Sequence, residues 1–121
     1  MTAEEQARIF EFLRRETVSG GLKWKRLFRG DRTALDEKLA PVYQANHNEV
    51  WFIACDKDLR YESERINGLS AFGTGYLEVS TNEGREYIIS SAVLGLIKLI
   101  EKKIDESNQA VRDTIFRALE S

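Results

Sequence analysis

One cysteine, one histidine, one proline and one methionine are spread over 121 residues, and the scarcities close several classes of function. A lone Cys55 cannot form an internal disulfide, which points to a reducing, cytoplasmic setting. A lone His47, with Cys55, Asp56 and Asp58 its nearest ligand-type neighbours in sequence, offers none of the spacings of a zinc finger or a metalloprotease helix. No metal and no cofactor are expected. Long apolar runs are missing too: the longest, from Ala92 to Ile100, is broken by Lys98 and falls well short of the ~20 residues of a membrane span. The opening Met1-Thr2-Ala3-Glu4-Glu5 is acidic and lacks the apolar core of a secretory signal. No membrane association is expected.

Constellations that carry catalysis are equally thin. Gly73-Thr74-Gly75 has the composition of a phosphate-cradling loop, but such loops join a strand to a helix, and Tyr76 to Thr81 read as a strand. A tight turn is the expectation there. Glu62 and Glu64 read as solvent-facing strand residues and not as an opposed acid pair. The serines at 63, 70, 80, 90 and 91 lack the strand-to-helix elbow of a nucleophile. The chain is expected not to be an enzyme.

What is present is an ordinary globular balance, 42% apolar and 31% charged, in a length that suits one domain. Thr2, followed by Glu4 and Glu5, opens a helix whose apolar face holds Ile9, Phe10, Phe12 and Leu13 and which stops at Gly20-Gly21. A short second helix is expected over Leu22 to Arg29, and a third from Asp31 through Leu35 and Leu39 past Pro41, making residues 1–47 a helical part. From residue 48 to 90 the period changes to that of strands. Val50 to Cys55 is apolar on both faces, as a central strand would be, and Asp56-Lys57-Asp58 turns the chain. Further strands are expected over Leu59 to Ser63, Ile66 to Phe72, Tyr76 to Thr81 and Arg85 to Ile89, the last two joined at Asn82-Glu83-Gly84.

The tail, 91–119, is helical. Ser90-Ser91 caps it, and Val93, Ile97, Ile100 and Ile104 form a seam that Val111, Ile115 and Ala118 continue. A straight helix of this extent is about 43 Å long, more than a domain with a radius of gyration of about 14 Å spans. A bend near Ser107-Asn108 is the expectation, with a projecting end that pairs with another chain as the alternative. Leu94, Leu96 and Leu99 widen the apolar arc, and together with Val111 and Ile115 they form a candidate partner interface, including a homodimer through this helix.

One segment departs from the ordinary. Leu22 to Arg32 carries five cations against Asp31 alone, whereas the rest of the chain has 13 basic and 19 acidic residues. As a helix it would stack Trp24 on Phe28 and present Lys23, Arg26 and Arg29 opposite. Lys23, Trp24, Lys25, Arg26, Arg29 and Arg32 are therefore candidates for binding an anion or a nucleic acid. Three short helices with Gly30 in a turn also suit a helix-turn-helix, although Asp36 and Glu37 in its second helix would repel phosphate.

The run from Val50 to Ile104, short strands and then one amphipathic helix, resembles the second half of a bacterial pleckstrin-homology-like domain. That resemblance covers under half of the chain, implies a sheet capped by a helix, and assigns no residue a role. The sequence thus specifies an α+β fold: N-terminal helices, an antiparallel meander of four to five strands and a long covering C-terminal helix. The functional expectation is a small, non-catalytic, cytoplasmic binding or regulatory module that contacts another protein. The alternative is a nucleic-acid binder using 22–32.

Overall fold

The structure, a computed structural model, describes residues 1–27, 41–56 and 73–120. They form an α+β fold of two helices and five strands, in the order α1 (Ala3–Ser19), β1 (Lys25–Leu27), β2 (Val42–His47), β3 (Val50–Cys55), β4 (Gly75–Thr81), β5 (Gly84–Ser90) and α2 (Ser91–Glu120). The strands make one antiparallel sheet in sequence order, with β3 at its centre.

Local chemistry sets the bounds of α1. The Thr2 hydroxyl accepts from the Glu5 amide at 3.1 Å, and the Glu5 carboxylate accepts from the Thr2 amide at 2.8 Å, a reciprocal capping box. The Thr2 amide and then its hydroxyl hold the Glu5 carboxyl below its usual range. Gly20 ends the helix at φ +84°, a left-handed conformation that glycine adopts without steric cost. At the other end of the fold no loop separates β5 from α2: Ser90 is the last residue of the strand, and its hydroxyl accepts from the Ala92 amide at 3.1 Å.

Both helices cover the same face of the sheet. Tyr43 and Ala45 of β2, Phe52 and Ala54 of β3, Leu77 of β4 and Ile88 of β5 alternate onto that face. They pack against Phe10 and Leu13 of α1 and Val93, Leu96, Ile97 and Ile100 of α2. Gly75 permits the closest approach: a β-carbon there would sit 2.8 Å from Val93 Cγ1 and 3.1 Å from the Cys55 carbonyl oxygen. The positive φ of this loop lies instead at Gly73, at +77°, so the turn expected of Gly73-Thr74-Gly75 forms at its first residue. The opposite face of the sheet is more open, with Trp51 and Ile89 each nearly half exposed and Tyr76 and Tyr87 stacked at 5.4 Å.

Two expectations are corrected. Residues 25–27 form a strand and not a helix, because each pairs across the sheet edge with β2, Arg26 opposite Tyr43 and Leu27 opposite Val42. Residues 42–47 are likewise a strand, so 1–47 is not a helical part. The remainder of the expected second and third helices, 28–40, lies outside the described residues, as do the strands expected over Leu59 to Ser63 and Ile66 to Phe72. The C-terminal helix α2 is continuous through Ser107-Asn108, one helix of 30 residues with a contour of about 45 Å, and it is exposed from Asp105 onward.

Candidate functional site

The strand conformation of β1 decides what the basic segment can present. Neighbouring residues of a strand point to opposite faces, so Lys25 and Arg26 part company. Arg26 turns to the helix-covered face, its guanidinium 5.9 Å from the centre of the Tyr43 ring and 3.9 Å from the Asp105 carboxylate. Lys23 and Lys25 are exposed. Trp24 is half-buried against the core, and its indole Nε1 donates to the Thr17 hydroxyl at 2.9 Å. The expected stack of Trp24 on Phe28 at helical spacing has no helix to carry it. Arg29 and Arg32 lie outside the described residues. The first half of the expected helix-turn-helix is likewise replaced by the β1–β2 pair.

His47, Cys55 and Asp56 are not brought together either. His47 closes β2 beside the β2–β3 turn, where its ring meets Phe12 edge to face at 5.0 Å. Cys55 ends β3, five residues beyond Val50, the cross-strand partner of His47, or roughly 17 Å at ~3.3 Å per residue. Asp58 lies outside the described residues. Among the described residues no three metal-ligating side chains cluster. Cys55 itself is fully buried.

Beside these, one polar contact stands out within the covered face. The Tyr43 hydroxyl donates to Glu101 Oε1 of α2 at 2.7 Å. Burial first, and then this hydrogen bond and the charge of Glu101, push the Tyr43 phenol up to about 12, while Arg26 opposes the shift. The pair ties the second strand to the helix at the level where α2 leaves the body of the protein.

From that level onward α2 is a different object. Ile100 is fully buried and Ile104 partly so, but from Asp105 to Glu120 every residue is exposed. Four of them are large and apolar: Val111, Ile115, Phe116 and Leu119, exposed by 56%, 50%, 60% and 73%. Of the expected interface residues, Val111 and Ile115 are therefore open to a partner, Leu94 and Leu99 are half-buried, and Leu96 belongs to the core. Phe116 and Leu119 were not singled out in the sequence, although they follow Arg112 and Ile115 at helical spacing of four. The sites of ordinary local support along this stretch are Gln109 Nε2 to Asp113 Oδ1 at 2.9 Å and Lys103 to Glu106 at 3.5 Å, pairs that each contribute only about 0.2–0.5 kcal/mol.

At the base of the projecting stretch lies a cavity of about 260 Å³, walled by Leu22, Lys23 and Trp24 on one side and by Ile100, Ile104 and Asn108 of α2 on the other. A larger, shallow recess of about 560 Å³ runs beside α1, where Glu5, Arg8, Glu11 and Arg15 alternate in charge around Ile9, Phe12 and Phe52. Among the described residues no helix is long and apolar enough to cross a membrane. No family model, no curated protein and no solved structure matches the chain, so the resemblance to pleckstrin-homology-like domains carries no assignment forward.

Proposed function

We propose that this protein is a small cytoplasmic module that acts by binding another polypeptide and performs no chemistry. The observation that carries this reading is the outer half of α2, a helix that leaves the core and holds Val111, Ile115, Phe116 and Leu119 in water. Monomeric proteins rarely leave a contiguous apolar surface of this kind unused. A helix also draws most of its stability from packing, and the four large apolar side chains of this half are all at least half exposed. The alternative reading, a nucleic-acid binder, retains exposed Lys23 and Lys25. It is weakened because Trp24 is half-buried and tied to Thr17, and because Arg26, though exposed, faces Tyr43 and Asp105 on the other side of the strand from Lys25, so the cations do not form one patch.

A photo-cross-linking residue at position 116 of the full chain tests the choice in cells. Adducts to polypeptide, lost when Ile115 is changed to Asp, are the expected result. Adducts to nucleic acid, or none at all, overturn the reading. Labelled duplex DNA and single-stranded RNA, titrated at two salt concentrations with a variant carrying alanine at Lys23, Lys25, Arg26 and Arg29, give the complementary test.

A further inference from the structure

We propose that the partner is a second copy of this chain, paired through antiparallel outer halves of α2 so that each helix tip seats in the cavity at the base of the other. This rests on the binding-module reading above and names its partner.

The direction of the apolar stripe is the first argument. At 100° per residue Val111 and Ile115 fall on the same line of the helix as Val93, Ile97, Ile100 and Ile104. The stripe therefore leaves the core without changing face. A partner helix laid along it must run into the body of the protein at Ile104, and that is where the cavity opens between Trp24 and α2. Its wall is mixed: Leu22, Ile100, Ile104 and the indole of Trp24 give it an apolar side for an aliphatic side chain, and Lys23, Lys103, Ser107 and Asn108 complete it.

Length is the second. From Ile104 to Leu119 the helix rises about 22 Å at ~1.5 Å per residue. In an antiparallel pair Ile115 comes level with Ile104 of the partner subunit, and Val111 with Asn108 of the partner subunit. Leu119 then comes level with Ile100 of the partner subunit, at the cavity. In this register each tip reaches the other chain's cavity, so one length of helix serves both sites.

Charge is the third. One flank of the stripe carries Asp105 near the body and Arg112 near the tip. Antiparallel pairing faces like flanks, and so sets Asp105 against Arg112 of the partner subunit, twice over. The contact of Asp105 with Arg26 is long, at 3.9 Å, and Asp105 is 73% exposed, so it leaves that carboxylate able to take a second cation. Such a pair is isologous and closed, with both stripes and both cavities used. A parallel copy would carry the tip away from the cavity. A single helix pair of this length falls below about 1,200 Å² of total buried surface, the class of weaker and transient complexes.

Sedimentation equilibrium on the full chain across the micromolar range tests the pairing. A mass rising towards that of a dimer is expected, with Leu119→Asp raising the dissociation constant at least ~10-fold, as loss of an anchor seated in a pocket does. Asp105→Arg should weaken the dimer and the double change with Arg112→Asp should restore it. Circular dichroism on each variant keeps the comparison honest, since these residues are exposed and the core should be unaffected. Orientation is read from engineered cysteines. Mixed Asp105→Cys and Arg112→Cys chains should cross-link to each other, whereas Ile115→Cys cross-linking to itself would show parallel helices and overturn the arrangement. A chain that stays monomeric throughout overturns the second copy. If position 116 still cross-links to another polypeptide in cells, the binding-module reading survives that failure, and if it does not, both fall together.

Discussion

The indole of Trp24 donates to the hydroxyl of Thr17 at 2.9 Å, while that same hydroxyl donates to the Leu13 carbonyl one turn back in α1. One buried oxygen thus fastens the link after α1 to the helix it has just left. The link is further held by the Leu22 amide, which donates to the Glu16 carbonyl at 3.1 Å. Changing Thr17 to Val keeps the shape and removes both bonds, and it should cost about 0.5–1.5 kcal/mol in urea unfolding, the net worth of a part-buried hydrogen bond. Thr17→Ser should recover most of the loss.

Gly75 is required for space and not for its backbone angle. An alanine there would press on Val93 and on the Cys55 carbonyl, and α2 would have to move off β4. A loss of about 1–3 kcal/mol is expected for Gly75→Ala, and Val93→Ala in the same chain should recover little of it, because the β-carbon at 93 would remain 2.9 Å away.

The turn between β2 and β3 holds Asn48 at φ +48° and Glu49 at φ +67°. Both central residues of this two-residue hairpin are left-handed, the pattern in which the second position favours glycine. Glu49→Gly should therefore stabilise the protein, by about 0.5–1 kcal/mol. Thermal unfolding checks the sign, and a loss of stability would mean that the Glu49 side chain contributes something the backbone strain conceals.

Alkaline stability should report on Tyr43. Its phenol is raised in the folded state to about 12, above the ordinary value of 10, mainly by burial. A raised acid favours the folded protein fully below pH 10, and that contribution is lost as pH rises from 10 through 12. Tyrosinate absorbance of the folded chain should contain a late-titrating component that disappears in Tyr43→Phe. That variant should unfold with a shallower loss of stability over the same window.

Trp24 also lines the cavity into which the second copy's Leu119 would fit. In a Trp51→Phe background its emission should shift to the red on dilution, as water replaces the aliphatic tip. Leu119→Asp should show the shifted spectrum at every concentration.

Much of this fold can be read along the chain because its signals are local. Thr2 with Glu5, Gly20 after α1, the turn before Gly84 and the Ser90 cap each act within four residues of the structure they fix. The central position of β3 follows from a segment apolar on both faces. Residues 25–27 gave no such sign: three residues are too few to show a period of two, and Trp24, Leu27 and Phe28 happen to suit a helix. Pairing with β2 decides their conformation, and strand preference is settled by such neighbours more than by the residues themselves. The alternation of Tyr43 and Ala45 with Gln44 and Asn46 was readable, but the turn after it lacks the glycine that normally marks a hairpin. The Tyr43–Glu101 bond spans 58 positions and leaves no trace in either neighbourhood. Ser107 and Asn108 have modest helix propensity, yet a few tenths of a kcal/mol each is too little to interrupt a helix nucleated firmly at Val93 to Ile100. The basic segment was legible as composition, but its division between the two faces of a strand was not.

Because β5 passes into α2 without a connecting loop, the projecting helix has no swivel. Its bearing is set by the pleat of the sheet at Ser90 and by the Tyr43–Glu101 bond further along. Whatever docks on it meets a helix whose root is fixed in the sheet, so little orientational freedom is surrendered there on capture. A load taken up by the docked helix is then passed through that root to the β4–β5 hairpin, the part of the sheet from which it is hung.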